Sequence, residues 1–293
     1  MTIINHPSDG LYPELIALAR LVAYSGEIGR EELIRCCQSG NPTRLGGALS
    51  RWTTLGLFTE SQGLVSVGKT FVRKRGEPID NWTERLRGFC CHLMLAPDNC
   101  QPLFGDNEGV SADFVRGIAW LLAQDIFSLP TAWTEVERMQ YEQVSSGAKI
   151  IQNDARWSGL RFWARYLGFA TGDSRSFLID PTSVIRSELH TIYQGATVLP
   201  AMALVSELAK CLPILDSGTY RQEVERQLKE AVWRRPETGH LSMSLSFALR
   251  RLELEHVIAL ESMADTGQGV RLTGKDHQSR GSFTHVRLVE TRT

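Results

Sequence analysis

The sequence predicts a mainly α-helical protein with small β-hairpins, in which N- and C-terminal winged helix-turn-helix modules are joined by a helical middle region. Apolar residues recur at helical spacing over most of the 293 residues. Near each end, such a helix is followed by short segments with the period of strands. The chain is 42% hydrophobic and 22% charged, which is typical of globular proteins and excludes general disorder. We expect a winged helix-turn-helix over 1–76, a mostly helical region with a degenerate winged-helix-like half over 77–235, and a winged helix-like module over 236–293.

The first predicted module contains three helices and a hairpin. The pattern predicts helices over Leu11–Val22, Arg30–Cys37 and about Pro42–Leu55, and strands over Leu57–Glu60 and Leu64–Val67. Pro42 suits the first position of the third helix, and Gly56 is a typical stop signal after it. The phrase ALSRWTTLGLFTESQGLVSVG is similar to the third helix and wing of winged-helix proteins.

The middle region is predicted to be mostly helical. The expected elements are helices over Phe114–Ile126, Thr134–Val144, Asp154–Leu167, Ser183–Tyr193, Val198–Leu212 and Thr219–Trp233, and a strand over Phe177–Ile179. The helix that begins at Asp154 is dense in aromatic residues, including Trp157 and Trp163. Such density favours a packed core over a ligand pocket.

The C-terminal segment repeats the order of the first module. The pattern predicts a helix over Ser242–Glu255, strands over His256–Glu261 and Val270–Leu272, a turn at Asp265–Gly267, a polar loop over Gly274–Gly281 and a last strand over Phe283–Val289. The phrase FALRRLELEHVIALESMADTGQGVRL matches the helix-and-wing phrase of the first module in order and length. We therefore expect a second wing, whose loop would carry the basic residues of this segment.

The third helix of a winged helix enters the major groove of DNA, where Arg pairs with guanine and Ser or Thr reaches phosphates. The residues expected on its outer side include Thr43, Arg44, Ser50 and Arg51. A run of cations follows the wing and could neutralise phosphates: Lys69, Arg73, Lys74 and Arg75. The alternatives are a solvated helix face, a basic linker and a protein-docking module.

Four residues extend the predicted DNA-binding set to the C-terminal module: Arg250, Arg251, Lys275 and Arg280. The first two lie on the predicted helix, and the other two lie in the predicted wing loop. Glu253 and Glu255 are close to the helix cations in sequence. Pairing of these charges on the helix surface is therefore the competing interpretation.

Charge and targeting signals restrict the possible partners. The 32 Lys and Arg residues nearly balance the 33 Asp and Glu residues, so DNA could bind only through a local patch.

The apolar stretches at 118–123 and 198–205 are far too short to span a membrane, and residues 1–10 lack the pattern of a signal peptide. The six cysteines include two adjacent pairs rather than a CxxC knuckle, which indicates reduced thiols in a cytoplasmic protein.

The sequence contains no recognised enzyme signature. It has no GxxxxGK[ST] loop, no GxSxG elbow and no HExxH helix, and its seven His residues lack ligand spacing on any one predicted helix. We expect no active site, no cofactor and no metal. Catalytic residues assembled from distant segments, such as Asp125, Glu135 and Asp154, remain the alternative.

Two phrases carry a resemblance to a known family: NDARWSGLRFWARYLGFA and FLIDPTSVIRSEL. With the leading winged helix, they resemble the DpdG-type proteins of bacterial clusters that place 7-deazaguanine derivatives in DNA and restrict unmodified DNA. The resemblance covers most of the chain and implies a non-catalytic partner in a multi-protein phage-defence system. The residues that carry it look architectural and transfer no active site: Asp154, Trp157, Trp163, Leu167, Gly168, Phe169, Asp180, Pro181 and Thr182.

The leading hypothesis is an accessory subunit of a DNA-processing or anti-phage complex. Such a subunit would bind DNA through one or both winged helices and dock partner proteins with the rest of the chain. One alternative is a dimeric transcriptional regulator that reads a palindrome with Arg44 and Arg51. Another is a winged-helix adaptor of an SMC-like or other large ATPase machine. A nuclease with an unfamiliar site ranks last.

Overall fold

The computed structural model describes residues 3–4, 11–37, 41–145, 147–173, 176–263 and 269–289. About half of the chain is helical, and the strands form small antiparallel sheets. The predicted fold class, mainly α with small β-hairpins, is confirmed at this level.

The helices alternate with short strands along the chain. The helices are α1 (Tyr12–Ser25), α2 (Arg30–Cys36), α3 (Pro42–Thr54), α4 (Ile79–Leu95), α5 (Pro97–Cys100), α6 (Ala112–Leu122), α7 (Trp133–Gln143), α8 (Asp154–Leu167), α9 (Thr182–Tyr193), α10 (Ala201–Cys211), α11 (Thr219–Glu225) and α12 (Met243–Leu254). The strands are β1 (Glu27–Gly29), β2 (Phe58–Ser61), β3 (Leu64–Val67), β4 (Ala170–Thr171), β5 (Leu178–Ile179), β6 (Val198–Pro200), β7 (Ile258–Glu261), β8 (Val270–Thr273), β9 (Ser279–Phe283) and β10 (His285–Leu288).

The strands described here pair into four sheets, with orders β1-β3-β2, β4-β5, β6-β10-β7 and β8-β9. The residues cluster into two compact units. The first unit comprises Met1–Phe114 and Asn153–Leu167, and the second comprises Val115–Gln152 and Gly168–Thr293. The domain boundaries expected from the sequence, at 76 and 235, remain predictions.

In the first unit, α3 and α8 supply much of the core. Leu45, Leu49 and Trp52 of α3 are buried, as the helical spacing predicts. Trp163 of α8 is 1% exposed, and its ring lies 5.5 Å from that of Trp52 between centroids. Trp157 is equally buried, so the predicted core role of the aromatic helix is confirmed.

One tyrosine joins the beginning of α1 to the surface of α8. Tyr12 stacks on Phe162 and on Tyr166, with ring centroids at 4.6 Å and 4.8 Å. Burial is the largest cause that raises the pKa of Tyr166 above its ordinary value. The phenol therefore stays protonated throughout the neutral range.

The helix predicted over Phe114–Ile126 is α6, which begins at Ala112 and ends at Leu122, and two further predicted helices, both in the second unit, are wrong in extent. Val198–Pro200 is a strand rather than the start of a helix, and α10 begins directly after Pro200. Pro200 lacks an N–H and fits the boundary position before the first helical residue. The helix predicted over Thr219–Trp233 ends at Glu225. After it, the Gln227 and Leu228 N–H groups donate three rather than four residues back, and the Lys229 N–H donates to the Gln143 carbonyl at 2.7 Å.

The strand pairing near the C-terminus also differs from the predicted hairpin. β7 pairs with β10, whereas β8 pairs with β9, so β7 and β8 belong to different sheets. Val286 of β10 is fully buried and lies opposite Leu199 of β6 and Leu260 of β7. The predicted last strand, Phe283–Val289, corresponds mainly to β10, whereas part of the polar loop predicted over Gly274–Gly281 is the strand β9. The predicted turn at Asp265–Gly267 lies outside the described residues.

A tyrosine at the end of α9 anchors this sheet. The Tyr193 hydroxyl donates a hydrogen bond of 2.9 Å to the Val286 carbonyl. Burial raises the pKa of Tyr193 to about 12. The neutral phenol therefore keeps this bond at neutral pH.

Replacing Trp163 with Ala tests the core of the first unit. Loss of a buried indole of this size should lower the free energy of unfolding by about 3–5 kcal/mol, measured by urea denaturation. Tyr24→Ala is the matched control because Tyr24 is 75% exposed, and a change there should stay within about 0.5 kcal/mol. A Trp163→Ala protein that unfolds like the wild type would contradict the core assignment.

Candidate nucleic-acid interface

The outer face of α3 presents the first group of predicted DNA-binding residues. Asn41 caps the helix, since its side-chain oxygen accepts the Thr43 N–H at 2.9 Å. Thr43, Arg44 and Ser50 are exposed, as the sequence predicts. We call these three residues the α3 face.

Arg51 lies on the inner side of α3, so its predicted outward position is wrong. Its side chain is 3% exposed, and Nη1 donates to the Ile3 carbonyl at 3.4 Å. Ile4 lies so close to α8 that a Cβ at Gly159 would stand 2.9 Å from the Ile4 carbonyl oxygen. The segment at Ile3 and Ile4 thus covers this side of α3. The periodicity of α3 cannot reveal a cover that comes from 48 positions earlier in the chain.

A cation that the sequence analysis missed lies next to the α3 face. Arg30 of α2 donates from Nη2 to the Ser50 hydroxyl at 2.9 Å and from Nη1 to Glu60 at 2.6 Å. Glu60 belongs to β2, so this hydrogen-bonded chain joins α2, α3 and the hairpin. The sequence gives little indication of this hydrogen-bonded chain, because its three residues belong to three separate elements.

The cations after the hairpin differ in their availability. Lys69, Lys74 and Arg75 are exposed, whereas Arg73 is half-buried and donates from Nε to the Glu77 carbonyl at 2.7 Å. The Lys74 backbone N–H donates to the Glu77 carboxylate at 3.0 Å. This bond, followed by the interaction with Arg85, holds the pKa of Glu77 below its ordinary value. We call Lys69, Lys74 and Arg75 the post-hairpin cations.

The two arginines of α12 are both engaged by carboxylates. Arg250 pairs with Glu253 at 2.6 Å. Arg251 pairs with Asp180, and its Nε also lies 2.9 Å from Glu255. The structure therefore favours paired surface charges for these two residues over free DNA-binding cations.

Lys275 and Arg280 are exposed, and neither forms an ion pair within the described residues. Lys275 begins a short 3-10 turn, but Arg280 lies in β9 rather than in the predicted loop. The Arg280 carbonyl accepts from Arg250 Nη2 at 3.0 Å, which fixes β9 beside α12. The predicted DNA-binding residues thus divide into eight in the first unit and four in the second.

Three further features concern metal ligands, membrane-spanning helices and thiols within the described ranges. Those ranges contain no group of three or more His, Cys, Asp or Glu residues that could hold a metal ion. They also contain no helix with the length and hydropathy needed to cross a membrane. Cys90, Cys91 and Cys100 are buried free thiols, whereas Cys36 is exposed.

The chain is similar to a known protein family. A family model described as DpdG-like matches residues 1–266 of the 293-residue chain. No curated protein and no solved structure matches the chain.

The two arginines of α3 should separate in their effect on stability. Arg51→Ala removes a buried side chain and its hydrogen bond to Ile3, so it should lower the free energy of unfolding by about 1–3 kcal/mol. Arg44→Ala is the matched control, since Arg44 is exposed on the same helix, and it should change that free energy by less than about 0.5 kcal/mol. Chemical denaturation measures both. Equal effects of the two substitutions would contradict the inward placement of Arg51.

Proposed function

Because the chain belongs to the DpdG-like family, we propose that it is a non-catalytic accessory subunit of a bacterial DNA-modification or anti-phage defence complex. Family membership fits a role in DNA modification or defence. The finer part of the proposal is that residues 1–76 form a winged helix that contacts DNA. Other subunits of the complex would supply the chemistry.

The observation that carries the proposal is a set of exposed and unpaired cations in residues 1–76. Arg44 of the α3 face and the three post-hairpin cations are exposed, and none of these four forms an ion pair with another described residue. Ion-paired arginines would have to break existing contacts before they could bind phosphate. Unpaired cations bind phosphates directly and release counterions.

The local architecture supports the same proposal. α3 is followed by the β2–β3 hairpin, and β1 adds a strand on the other side of β3. A helix that precedes a small antiparallel hairpin is the arrangement that places one element in a groove and the other along the phosphate backbone. Thr43 and Ser50 add hydroxyl groups that can reach phosphate oxygens.

Protein docking is the second candidate function, and it concerns the C-terminal module. The α12 cations are paired with carboxylates, which weakens the positive field expected of a DNA-binding helix. Leu254 at the end of α12 is 78% exposed, and Met263 is 43% exposed. Exposed apolar side chains beside neutralised charges favour a protein partner over phosphate. This module would act as the adaptor surface of the same subunit.

DNA binding should depend on Arg44 and the post-hairpin cations. Arg44→Ala should weaken DNA binding by about 1–3 kcal/mol if its guanidinium pairs with a base. Combined Lys74→Ala and Arg75→Ala substitutions should weaken binding to all sequences and reduce the salt slope by about 0.9 for each lost phosphate contact. Fluorescence anisotropy over a salt titration measures both effects on duplex DNA.

Arg250→Ala is the matched control for these substitutions, because it removes a cation that is already paired with Glu253. It should leave DNA affinity and the salt slope unchanged. Wild-type affinity in the Arg44 and double Lys74/Arg75 variants would exclude residues 1–76 as the DNA-binding surface. Protection of one defined sequence by the purified protein would favour a transcriptional regulator instead.

The purified chain should not process DNA by itself. We expect no cleavage of modified or unmodified DNA with Mg²⁺ or Mn²⁺, and no hydrolysis of ATP, because the sequence lacks the motifs that these reactions use. Gel and phosphate-release assays measure the two activities. Turnover that a single substitution at Asp125, Glu135 or Asp154 abolishes would make the protein an enzyme.

A further inference from the structure

A cavity of about 200 Å³ lies within the second unit, outside the surfaces described above. Segments that are distant in sequence line it, so no linear motif predicts it. Its polar and aromatic lining includes Gln124, Asp125, Gln143, Trp233, Thr273 and His277.

Thr273 supplies a buried polar group that has no partner. The residue is 8% exposed, and its Oγ1 forms no hydrogen bond with any described residue. Its backbone N–H is engaged with the Ser246 hydroxyl at 2.9 Å, which fixes the position of the end of β8. A buried hydroxyl without a partner is unusual in native proteins and calls for an explanation. A ligand in the cavity that Thr273 lines would satisfy it.

Two buried glutamines hold their amide groups in a fixed orientation on the same cavity. Gln143 accepts the Trp120 indole N–H at 3.0 Å and donates to the Gln124 side-chain oxygen at 2.9 Å. Gln124 in turn donates to the Trp120 carbonyl at 3.1 Å. A primary amide has two N–H donors, so each glutamine keeps one donor that these bonds do not use.

The cavity also has an aromatic wall and a carboxylate. Trp233 is 5% exposed, and its indole N–H donates to the Ala123 carbonyl at 2.9 Å, which fixes the plane of the ring. Met139 and Met243 also line the cavity, and thioethers make favourable contacts with aromatic rings. One oxygen of Asp125 accepts the Phe127 N–H at 3.0 Å, so the second oxygen can accept from a ligand.

His277 reaches the same cavity from a strained segment. Asp276 and His277 have φ values of 57° and 60°, and both are non-glycine residues in the left-handed region. Backbone strain of this kind concentrates at functional sites. His277 is exposed, so the cavity has a titratable ring on its solvent side.

We propose that this cavity binds a nucleobase, either in a free nucleoside or in a base turned out of a DNA strand. A planar nitrogen heterocycle needs apolar walls for its faces and fixed donors and acceptors at its edge. Trp233 and the two methionines provide the walls. The Thr273 hydroxyl, the free glutamine N–H groups and the Asp125 carboxylate provide the edge contacts. The strand-borne form of the ligand rests on the proposed DNA-binding function, whereas the free nucleoside does not.

The test substitutes Thr273 with Val in the full chain. This isosteric change removes a buried hydroxyl that has no partner, so the melting temperature should not fall. Binding of purine and pyrimidine deoxynucleosides, measured by calorimetry, should weaken about fivefold or more if one hydrogen bond is lost. Thr197→Val is the matched control, because Thr197 is exposed and does not line the cavity. Asp125→Asn keeps the acceptor for Phe127 but exchanges the second oxygen for a donor, and it should change which nucleoside binds best.

A second arm uses single-stranded oligonucleotides with and without one abasic position. Nucleoside binding that Thr273→Val weakens would establish a site for the free ligand. A preference for the intact strand that disappears in Thr273→Val would establish a site for a strand-borne base. Absence of both effects, or wild-type behaviour of Thr273→Val in both arms, would overturn the proposal.

The two arms also separate this proposal from the proposed function. Nucleoside binding without any DNA binding would refute the DNA-binding role alone. Equal affinity for intact and abasic strands, with no nucleoside binding, would refute the nucleobase cavity alone.

Discussion

The second unit depends on the need to neutralise one buried carboxylate. Asp180 is 1% exposed, and it accepts the Thr182 N–H at 3.0 Å, the Thr182 hydroxyl and the Arg251 guanidinium. A carboxylate at such depth is stable only when paired and hydrogen-bonded. The same set of contacts therefore starts α9, ties it to α12 and engages the arginine that a DNA-binding helix would present. The Asp-Pro-Thr phrase has an architectural role, and the loss of a free cation on α12 follows from it.

Similar sequence phrases thus lead to different surfaces at the two ends of the chain. In the first unit, the arginine at position 51 turns inward beneath Ile3, while Arg44 stays exposed and unpaired. In the second unit, both arginines of α12 are paired with acidic neighbours. The two modules share an order of helix and strands in the sequence, but they differ in whether their exposed arginines are paired with carboxylates. For this reason we propose that residues 1–76 bind DNA phosphates and that the C-terminal module binds a protein partner.

The sequence predicts those parts of the fold that local periodicity determines. The bounds of α8 are predicted to the residue, and α3 to within one residue, because their apolar positions repeat at one helical period. The start of α10 is mispredicted because a short apolar run such as Val198–Pro200 fits either a strand or a helix. The pairing of β7 with β10 could not be predicted from the local sequence, because it depends on a three-stranded sheet that also includes the distant strand β6. The inward position of Arg51 and the cavity at Thr273 also depend on segments that are distant in sequence, so the residues around each of them do not predict it.

The long-range pairing of β10 has a consequence for how the chain is made. Tyr193 donates to the carbonyl of Val286, 93 positions later, and β6 hydrogen-bonds β10 from a similar distance. At translation rates of about 5–20 residues per second, synthesis of β10 follows that of β6 and the end of α9 by roughly 5–20 s. Until β10 is made, β6 lacks the strand that pairs with it in the finished sheet, and unpaired strands tend to pair with other chains. Slow, late closure of the β6-β10-β7 sheet is therefore built into the order of the strands, whatever the stability of the finished fold.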